Sequence, residues 1–450
     1  MTTTTFHSSL RQSVFVKLLF VGLLILIFLI PLLMVDQLVQ ERQYRHASVI
    51  EEVSQRWGHS QTLTGPLLTI PYRSFWKDAE GKVHTQLNKA QFLPDNFKVE
   101  GELVPEIRSR GIFDVVVYRV NLSISGSFPH PDLSHWQISP EQILWKEAIL
   151  SMGISDTRGI RDTLFLNWDK NKVEFFAGPG NNSLFNKGLH VRLPELGTAA
   201  NTPHTFSFDV QLNGSNRLAF VPVGKKTSVN LSADWPDPSF NGAFLPIQHD
   251  ISDIGFQATW QVSHLGRSYP QYWTTQNQPE IDFYSTEFGV DLLLLIDFYH
   301  KSERSVKYGI LFILLTFMTF FLFEVLNHRS IHPLQYLMVG SALCLFYVLL
   351  LSISEHLGFV TAYIIASAST IVLITAYATK VLHNTQRAGI MGLALTGLYI
   401  SLYVLLHLQD YALLFGAVGL FLILAGVMFI TRNIDWYAVN LQTSKEPSAS

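Results

Sequence analysis

The chain has 450 residues, of which 48% are hydrophobic and only 15% are charged, whereas soluble domains carry about 25% charged residues. The net charge of -3 provides no basic field, which argues against a nucleic-acid partner. Because Cys344 is the single cysteine, a disulfide within the chain is excluded.

The first predicted element is a membrane-spanning helix. Residues from Leu18 to Val35 include no charged side chain, and about 20 apolar residues in a helix cross the hydrocarbon core of a bilayer. The residues that follow do not form the small-residue cleavage site of a signal peptide. We therefore predict a cytoplasmic tail at 1–14, a retained span at 15–35, and a helix that continues through 37–61.

The segment 36–306 is predicted to form a large antiparallel β-rich domain with a sandwich-like arrangement. Apolar and polar residues alternate along 113–128, and shorter alternations include Phe206, Val229 and Phe256. Such alternation is expected for strands that have one buried face. Together with the domain, the apolar segments predict an α+β membrane protein.

Turn-forming residues separate these predicted strands. Asn213-Gly214 is the type of dipeptide that connects the strands of a hairpin, and we expect a turn there. One short helix is predicted within the domain, at 139–150.

The rest of the chain is predicted to be a five-helix transmembrane bundle at 307–431, followed by a cytoplasmic tail at 432–450. Short polar connections separate the apolar segments, so consecutive helices should be antiparallel. The predicted spans are 307–326, 334–354, 357–379, 389–408 and 411–431.

The orientation follows from lysine and arginine in the short connections, because cytoplasmic loops are enriched in both. The two connections on the other side, around Glu355–His356 and Gln409–Asp410, have neither. We therefore expect both termini in the cytoplasm and 36–306 outside it. The basic residues on the cytoplasmic side are Arg11, Lys17, Arg329, Lys380, Arg387, Arg432 and Lys445.

Two interpretations remain open for Glu355 and His356. Both residues are predicted to lie in a turn between two spans, where Ser354 caps a helix, Gly358 permits the turn, and charge near water costs little. Alternatively, they form a proton or ion relay at the outer mouth of the bundle, since histidine titrates near neutral pH.

Glu324 is the one carboxylate inside an otherwise apolar span. It is interpreted either as pairing at the interface, within reach of Arg329, or as a functional intramembrane charge. His328 and His332 are spaced for metal ligation on a helix, but Pro333 is expected to begin the next helix, which leaves both in a loop.

No established catalytic motif is present: the sequence lacks a nucleophile elbow, a zinc-protease motif, a P-loop and a dinucleotide-binding motif. We therefore predict no catalytic residue, metal site or cofactor. The candidate functional residues that remain are Glu324, His332, Glu355 and His356.

Several stretches resemble the family of the inner-membrane protein CreD, also described as the cell envelope integrity family. The resemblance covers nearly the whole chain, in order, and is weak in 1–12, in 73–140 and in the C-terminal tail. It rests on 42–72, which includes "QRWGHSQTLTGP", "GISDTRGI" at 153–160, 218–246, "GFQATW" at 255–260, 307–367, and "FITRNIDWY" at 429–437.

The resemblance implies an inner-membrane protein of Gram-negative bacteria with a large periplasmic domain. It further implies expression under envelope or cell-wall stress and a link to envelope integrity and colicin tolerance. The family has no established catalytic residues to carry over. The expected partners are the lipid bilayer and other envelope proteins or cell-wall components.

Three functions follow as hypotheses. The first is a non-enzymatic envelope protein that acts through its periplasmic domain. The second is a transporter or channel whose bundle moves a solute, and the third is a membrane enzyme that acts on envelope substrates. The lack of catalytic motifs and the size of the domain favour the first.

Overall fold

The computed structural model describes residues 14–180, 184–194, 196, 202–292, 298–327, 331–408 and 411–432. Most of both predicted tails, and the connection Gln409–Asp410, therefore lie outside the described residues. The chain divides into two compact units, 47–295 and a helical unit formed by 1–46 with 296–450. The β domain is thus narrower than the segment 36–306 assigned from the sequence.

Helix α1 (Val14–Trp57) joins the predicted N-terminal span and the predicted continuation into one helix of 44 residues. Residues 18–35 of this helix form an uninterrupted apolar run that contains Pro31. It ends at Trp57 because Gly58 adopts a φ of +141°, and the first strand begins soon afterwards. The helix predicted from the sequence extended to residue 61, four residues beyond the observed end.

The described residues of the β domain form two sheets. The strands are β1 (Gln61–Lys77), β2 (Val83–Phe92), β3 (Asn96–Arg110), β4 (Phe113–Phe128), β5 (Ile149–Ile154), β6 (Phe165–Trp168), β7 (Asn171–Glu174), β8 (Phe176–Ala177), β9 (Gly188–Arg192), β10 (His204–Ser215), β11 (Arg217–Phe220), β12 (Lys226–Ala233), β13 (Pro238–Gly242), β14 (Gln248–Ser252), β15 (Gly255–Ser263), β16 (Tyr272–Thr274) and β17 (Phe288–Leu292).

One sheet has nine strands, in the order β13-β17-β11-β1-β5-β9-β8, with β2 paired to β1 and β16 paired to β2. The other has eight strands, in the order β14-β15-β12-β3-β4-β10-β6-β7. The pairs β1–β11 and β3–β12 are parallel, and the other described strand pairs are antiparallel. The sheets are therefore mixed.

The alternation noted in the sequence matches the burial of the strands. In β12, for example, Val229, Leu231 and Ala233 are buried while the residues between them are partly exposed. The buried faces of both sheets contribute to one hydrophobic core that includes Trp168 and Trp260. The predicted sandwich-like β domain is thus confirmed, but its sheets are mixed rather than purely antiparallel, because β1 pairs with β11 and β3 with β12 in parallel.

Two local predictions within the domain are wrong. Asn213-Gly214 lies inside β10, because Gly214 packs on the ring of Tyr118, where a Cβ would approach the Tyr118 hydroxyl to 2.4 Å. The chain turns instead at Asn216, whose φ is 59°.

The helix predicted at 139–150 is also absent. Two short 3-10 turns, 140–142 and 145–147, occupy this segment. The Leu144 N–H donates to the Pro71 carbonyl at 2.9 Å, so that contact with β1 prevails over local helix propensity.

Among the described residues, the helical unit contains one short helix and five long ones after the domain. The short helix, Phe298–Lys307, was not predicted from the sequence. The helices are α2 (Phe298–Lys307), α3 (Gly309–Asn327), α4 (Pro333–Leu357), α5 (Phe359–Val381), α6 (Thr385–His407) and α7 (Ala412–Thr431).

Six helices of the described chain are long and apolar enough to cross a membrane: α1, near the N-terminus, and α3 to α7. This confirms the predicted count of one N-terminal and five C-terminal spans. Close packing at α5 uses small side chains, since Ala362 and Ala366 are fully buried and Thr370 is buried. In α7, by contrast, only Ala412 is buried.

Candidate functional site

The first sequence candidate, Glu324, lies in a buried ion pair near the end of α3. The residue is 1% exposed, and its carboxylate pairs with the Lys17 ammonium of α1. It also accepts hydrogen bonds from the Ile331 N–H and the Tyr336 hydroxyl, each at 3.1 Å. The expected neighbour Arg329 lies outside the described residues.

This arrangement links three helices through one carboxylate. A charge withdrawn from water is tolerated only when it is paired and hydrogen-bonded, and both oxygens of Glu324 have such partners. The sequence identified Glu324 as unusual, but it did not indicate Lys17, which lies more than 300 residues earlier in the chain.

The second candidate, His332, begins α4. Its Nδ1 accepts the Leu334 N–H at 3.2 Å, and the Gln335 side chain accepts the His332 N–H at 3.0 Å. Pro333 occupies the first helical position, which confirms the predicted helix start. This is a helix cap. His328 lies outside the described residues, and no cluster of three potential metal ligands occurs within the described part of the chain.

The third and fourth candidates, Glu355 and His356, lie in the last turn of α4 rather than in a turn between helices, so the prediction of their location is wrong. The helix continues to Leu357 and ends at Gly358, whose φ is 76°. His356 is exposed, whereas the Glu355 side chain is only 8% exposed. The two neighbours therefore have different environments.

Glu355 faces α2 and α1. The Tyr299 hydroxyl donates to its carboxylate at 3.2 Å, and the Arg42 Nε lies 3.7 Å from the same oxygen. Burial, together with the negative charge of Glu355, raises the pKa of Tyr299. Tyr299 therefore remains a hydrogen-bond donor at physiological pH.

A fifth site lies in the β domain and was not found among the sequence candidates. We call it the His59 cluster, and it centres on Asp156, whose side chain is 4% exposed. Arg158 forms a bidentate pair with this carboxylate, with both distances 2.9 Å. The cluster comprises Glu51, His59, Gln61, Asp156 and Arg158.

His59 lies between two carboxylates in this cluster. Its Nδ1 is 2.8 Å from Asp156, and its Nε2 is 3.0 Å from Glu51. The hydrogen bonds to Asp156 and Glu51 raise the pKa of His59. Burial alone would raise the pKa of Asp156, but hydrogen bonds from Arg158 and His59 hold it well below its usual range.

Side-chain hydrogen bonds to backbone carbonyl oxygens also hold the chain at this position. The Gln61 amide donates to the carbonyl oxygens of Asp156 and Asn213, both at 2.9 Å, and Arg158 donates to the Gln55 carbonyl at 3.3 Å. The cluster thus ties the end of α1 and the start of β1 to the segment after β5. It holds together elements that are about a hundred residues apart.

The cluster is suited to holding structure rather than to nucleophilic catalysis. A histidine oriented by aspartate is part of a catalytic triad, but that role requires a free ring nitrogen facing a nucleophile. In His59 both ring nitrogens are occupied by carboxylates. The signal that pointed to this site was the family resemblance, because 42–72 and 153–160 contain all five residues.

Comparison with known proteins identifies the family of the chain. The sequence matches the family described as "Inner membrane protein CreD" over residues 13–437. It is 33% identical over 424 residues to the protein of that name from Escherichia coli (strain K12), a match that covers 94% of this chain and 93% of the relative. With six candidate spans in the described residues, the chain belongs to the CreD family of multi-pass inner-membrane proteins.

Proposed function

We propose that the protein supports the integrity of the cell envelope under stress and that it does so without catalysis, through an interaction domain on the periplasmic side. The observation that carries the proposal is the placement of a large two-sheet domain between the first span and the other five. A domain of that size in one connection is suited to binding. The relative's name specifies a membrane location and no reaction.

The proposed orientation places both termini in the cytoplasm and 36–306 in the periplasm. It is supported by lysine and arginine near the cytoplasmic ends, of which Lys17, Lys380, Arg387 and Arg432 lie among the described residues. The domain would then face the compartment in which envelope components are assembled.

The orientation is tested with single cysteines in a Cys344→Ser background. Ser285 in the domain and Thr385 at the start of α6 are each replaced by cysteine, and intact cells are treated with a maleimide that does not cross the inner membrane. We expect labelling at position 285 only, with position 385 labelled after lysis. Labelling of 385 in intact cells would reverse the proposed orientation.

The function is tested by survival of a deletion strain under envelope stress. The full chain and the double variant Glu355→Gln/His356→Ala should rescue it equally. A chain in which a flexible linker replaces 47–295 should fail at the same membrane level. Rescue by that chain, or failure of the double variant, would move the function from the domain to the bundle.

Transport is the second candidate function, and the Lys17–Glu324 pair is the observation that favours it. Ionisable residues inside a membrane commonly mark ion or substrate pathways. Reconstitution into proteoliposomes tests this function: a solute or proton flux lost in Glu324→Gln but retained in Glu303→Gln would support transport. Equal permeability of loaded and empty vesicles would exclude it.

A further inference from the structure

Two consecutive strands of the β domain, β13 and β14, each form an edge of a different sheet. β13 is the edge strand of the nine-stranded sheet, and β14 is the edge strand of the eight-stranded sheet. Residues 243–247 connect the two. An edge strand presents unpaired backbone N–H and C=O groups to its surroundings.

The register of β14 identifies which backbone groups point outward. The turn between β14 and β15 has two residues, and the flanking pair is Ser252–Gly255. In such a hairpin this pair exchanges both backbone hydrogen bonds, and every second pair does the same. The N–H and C=O groups of His249 and Ile251 therefore point away from β15.

Large apolar side chains surround this edge. We call them the apolar ridge: Leu245, Ile247, Ile251 and Ile254 are exposed by 67, 55, 45 and 83%. Single exposed apolar residues are ordinary, but four within the segment 245–254 at an unpaired edge mark an interaction surface.

Carboxylates lie on the outer face beside the same edge. A groove of about 310 Å³ is lined by residues that include Glu102, Asp234 and Asp250. The register aligns Asp250 with Gln257, Ser232 and Glu102 across four strands. No ion pair joins these three carboxylates to another residue among those that the structure describes, so the groove is acidic.

We infer that β14 binds an extended segment of a partner protein, which pairs with it as an additional strand of the eight-stranded sheet. This inference rests on the proposed function, since it names the partner class of the interaction domain. Backbone hydrogen bonds to His249 and Ile251 would provide affinity. Alternate side chains of the segment would be apolar, against the ridge, and lysine or arginine, against the groove.

Charge decides between this partner and a second copy of the chain. Pairing of two β14 strands would bring two acidic rows together, and like charges across an interface oppose association. A basic, apolar segment satisfies both features of the edge. The occupant is therefore a different protein.

The test is photo-cross-linking of the full chain in intact cells. A benzophenone amino acid is placed at Gln248, on the edge strand, and in a matched chain at Lys172, on β7 at the opposite edge of the same sheet. We expect a discrete protein adduct from position 248 and none from 172. Mass spectrometry should map the adduct to an extended segment with alternating apolar and basic residues.

The inference would be overturned by no adduct from position 248, by an adduct to a second copy of this chain, or by an adduct to lipid or glycan only. An adduct to a helical or acidic segment would also contradict it, because neither matches the edge.

Variants connect the adduct to the features of the edge. Asp250→Lys should reduce the yield by about tenfold, whereas Glu174→Lys, the same charge reversal on β7, should leave it unchanged. Ile251→Pro should abolish the adduct, because proline removes an outward N–H without removing a bond to β15. If that variant unfolds, Ile251→Lys tests the apolar ridge instead. An unchanged adduct yield in both Asp250→Lys and Ile251→Lys would refute the binding site.

The survival assay separates this inference from the proposed function. If a variant such as Asp250→Lys loses the adduct but survives fully, β14 remains a binding site and its role in envelope integrity is rejected. The full chain could rescue survival, and the chain without 47–295 fail, with no adduct from position 248. That result would retain the proposed function of the domain and reject β14 as the binding site.

Discussion

His59 Nδ1 and a carboxylate oxygen of Asp156 lie 2.8 Å apart, and the same oxygen accepts the His59 backbone N–H at 3.1 Å. Arg158 is also 2.8 Å from Nδ1. The ring nitrogen cannot satisfy both neighbours, because it donates to Asp156 when it carries a proton and can accept from Arg158 only when it carries none. The raised pKa of His59 favours donation to Asp156.

The stability of the β domain should therefore depend on pH through His59. Because its pKa is raised in the folded state, its contribution is fully present below the ordinary histidine pKa of about 6.5 and is lost as pH rises through the folded value. We expect the unfolding temperature to decrease above about pH 6.5 in the full chain and to be flatter there in His59→Gln.

Tryptophan fluorescence measures this dependence, since eight of the nine tryptophans lie within 57–273. His135→Gln is the control, because that histidine is exposed on the same domain. An identical pH profile for His59→Gln and the full chain would contradict the assigned role.

The contribution of Asp156 to folding stability should depend on pH in the opposite sense to that of His59. Its lowered pKa gives a contribution that is present above the ordinary aspartate pKa of about 3.9 and lost as pH decreases through the folded value. At neutral pH, Asp156→Asn should lower the free energy of unfolding by about 1.5–3 kcal/mol, the range for hydrogen bonds to charged groups.

Glu51→Gln is the matched change in the same cluster. The Glu51 side chain is 57% exposed, so we expect a much smaller effect than for Asp156→Asn. Denaturant titration of the detergent-solubilised chain compares the two. Equal losses of unfolding free energy in Asp156→Asn and Glu51→Gln would mean that burial does not determine how much each carboxylate contributes to stability.

Removing one partner of the Lys17–Glu324 pair should destabilise the helical unit. Lys17→Met leaves a buried carboxylate without its cation, for which we expect a loss of about 3–5 kcal/mol. The double variant Lys17→Met/Glu324→Met should recover much of this loss, because no isolated charge remains. Thermal unfolding of the four chains in detergent yields the coupling free energy.

The exposed pair Lys307–Glu303, with Lys307 64% exposed, is the comparison. Its coupling should be below about 1 kcal/mol. Additive effects of Lys17→Met and Glu324→Met would show that the pair does not act as a unit.

Tyr299→Phe should weaken the attachment of α2 to α4. It removes the hydroxyl that donates to Glu355, and a hydrogen bond to a charged group is worth about 1.5–3 kcal/mol. Tyr411→Phe should have little effect, because Tyr411 is 60% exposed. Hydrogen exchange of the 298–307 amides tests this prediction, and unchanged protection in Tyr299→Phe would reject it.

The elements that sequence reasoning predicted well are those whose pattern is local. Alternation along 113–128 corresponds to β4, and the apolar runs correspond to the long helices. The parallel pairs β1–β11 and β3–β12 leave no such pattern, because each joins strands that are distant in the sequence.

The candidate sites illustrate the same limit. Glu324 could be found because a carboxylate is conspicuous in an apolar run, but its partner Lys17 could not. His59 and Asp156 each appear ordinary in sequence, and only the fold brings them within 2.8 Å. The location of Glu355 was predicted wrongly because α4 continues past the polar residues to Leu357 and ends at Gly358, whose φ is 76°.

Helix α7 buries only Ala412 among its described residues, so contacts with the rest of the protein do little to fix its angle to the membrane normal. A helix of 20 residues is about 30 Å long, close to the thickness of the hydrocarbon core. The lipids therefore set the tilt of α7, which should be larger in a thin bilayer than in a thick one. Bilayer thickness thus acts on this part of the molecule more directly than on the packed helices.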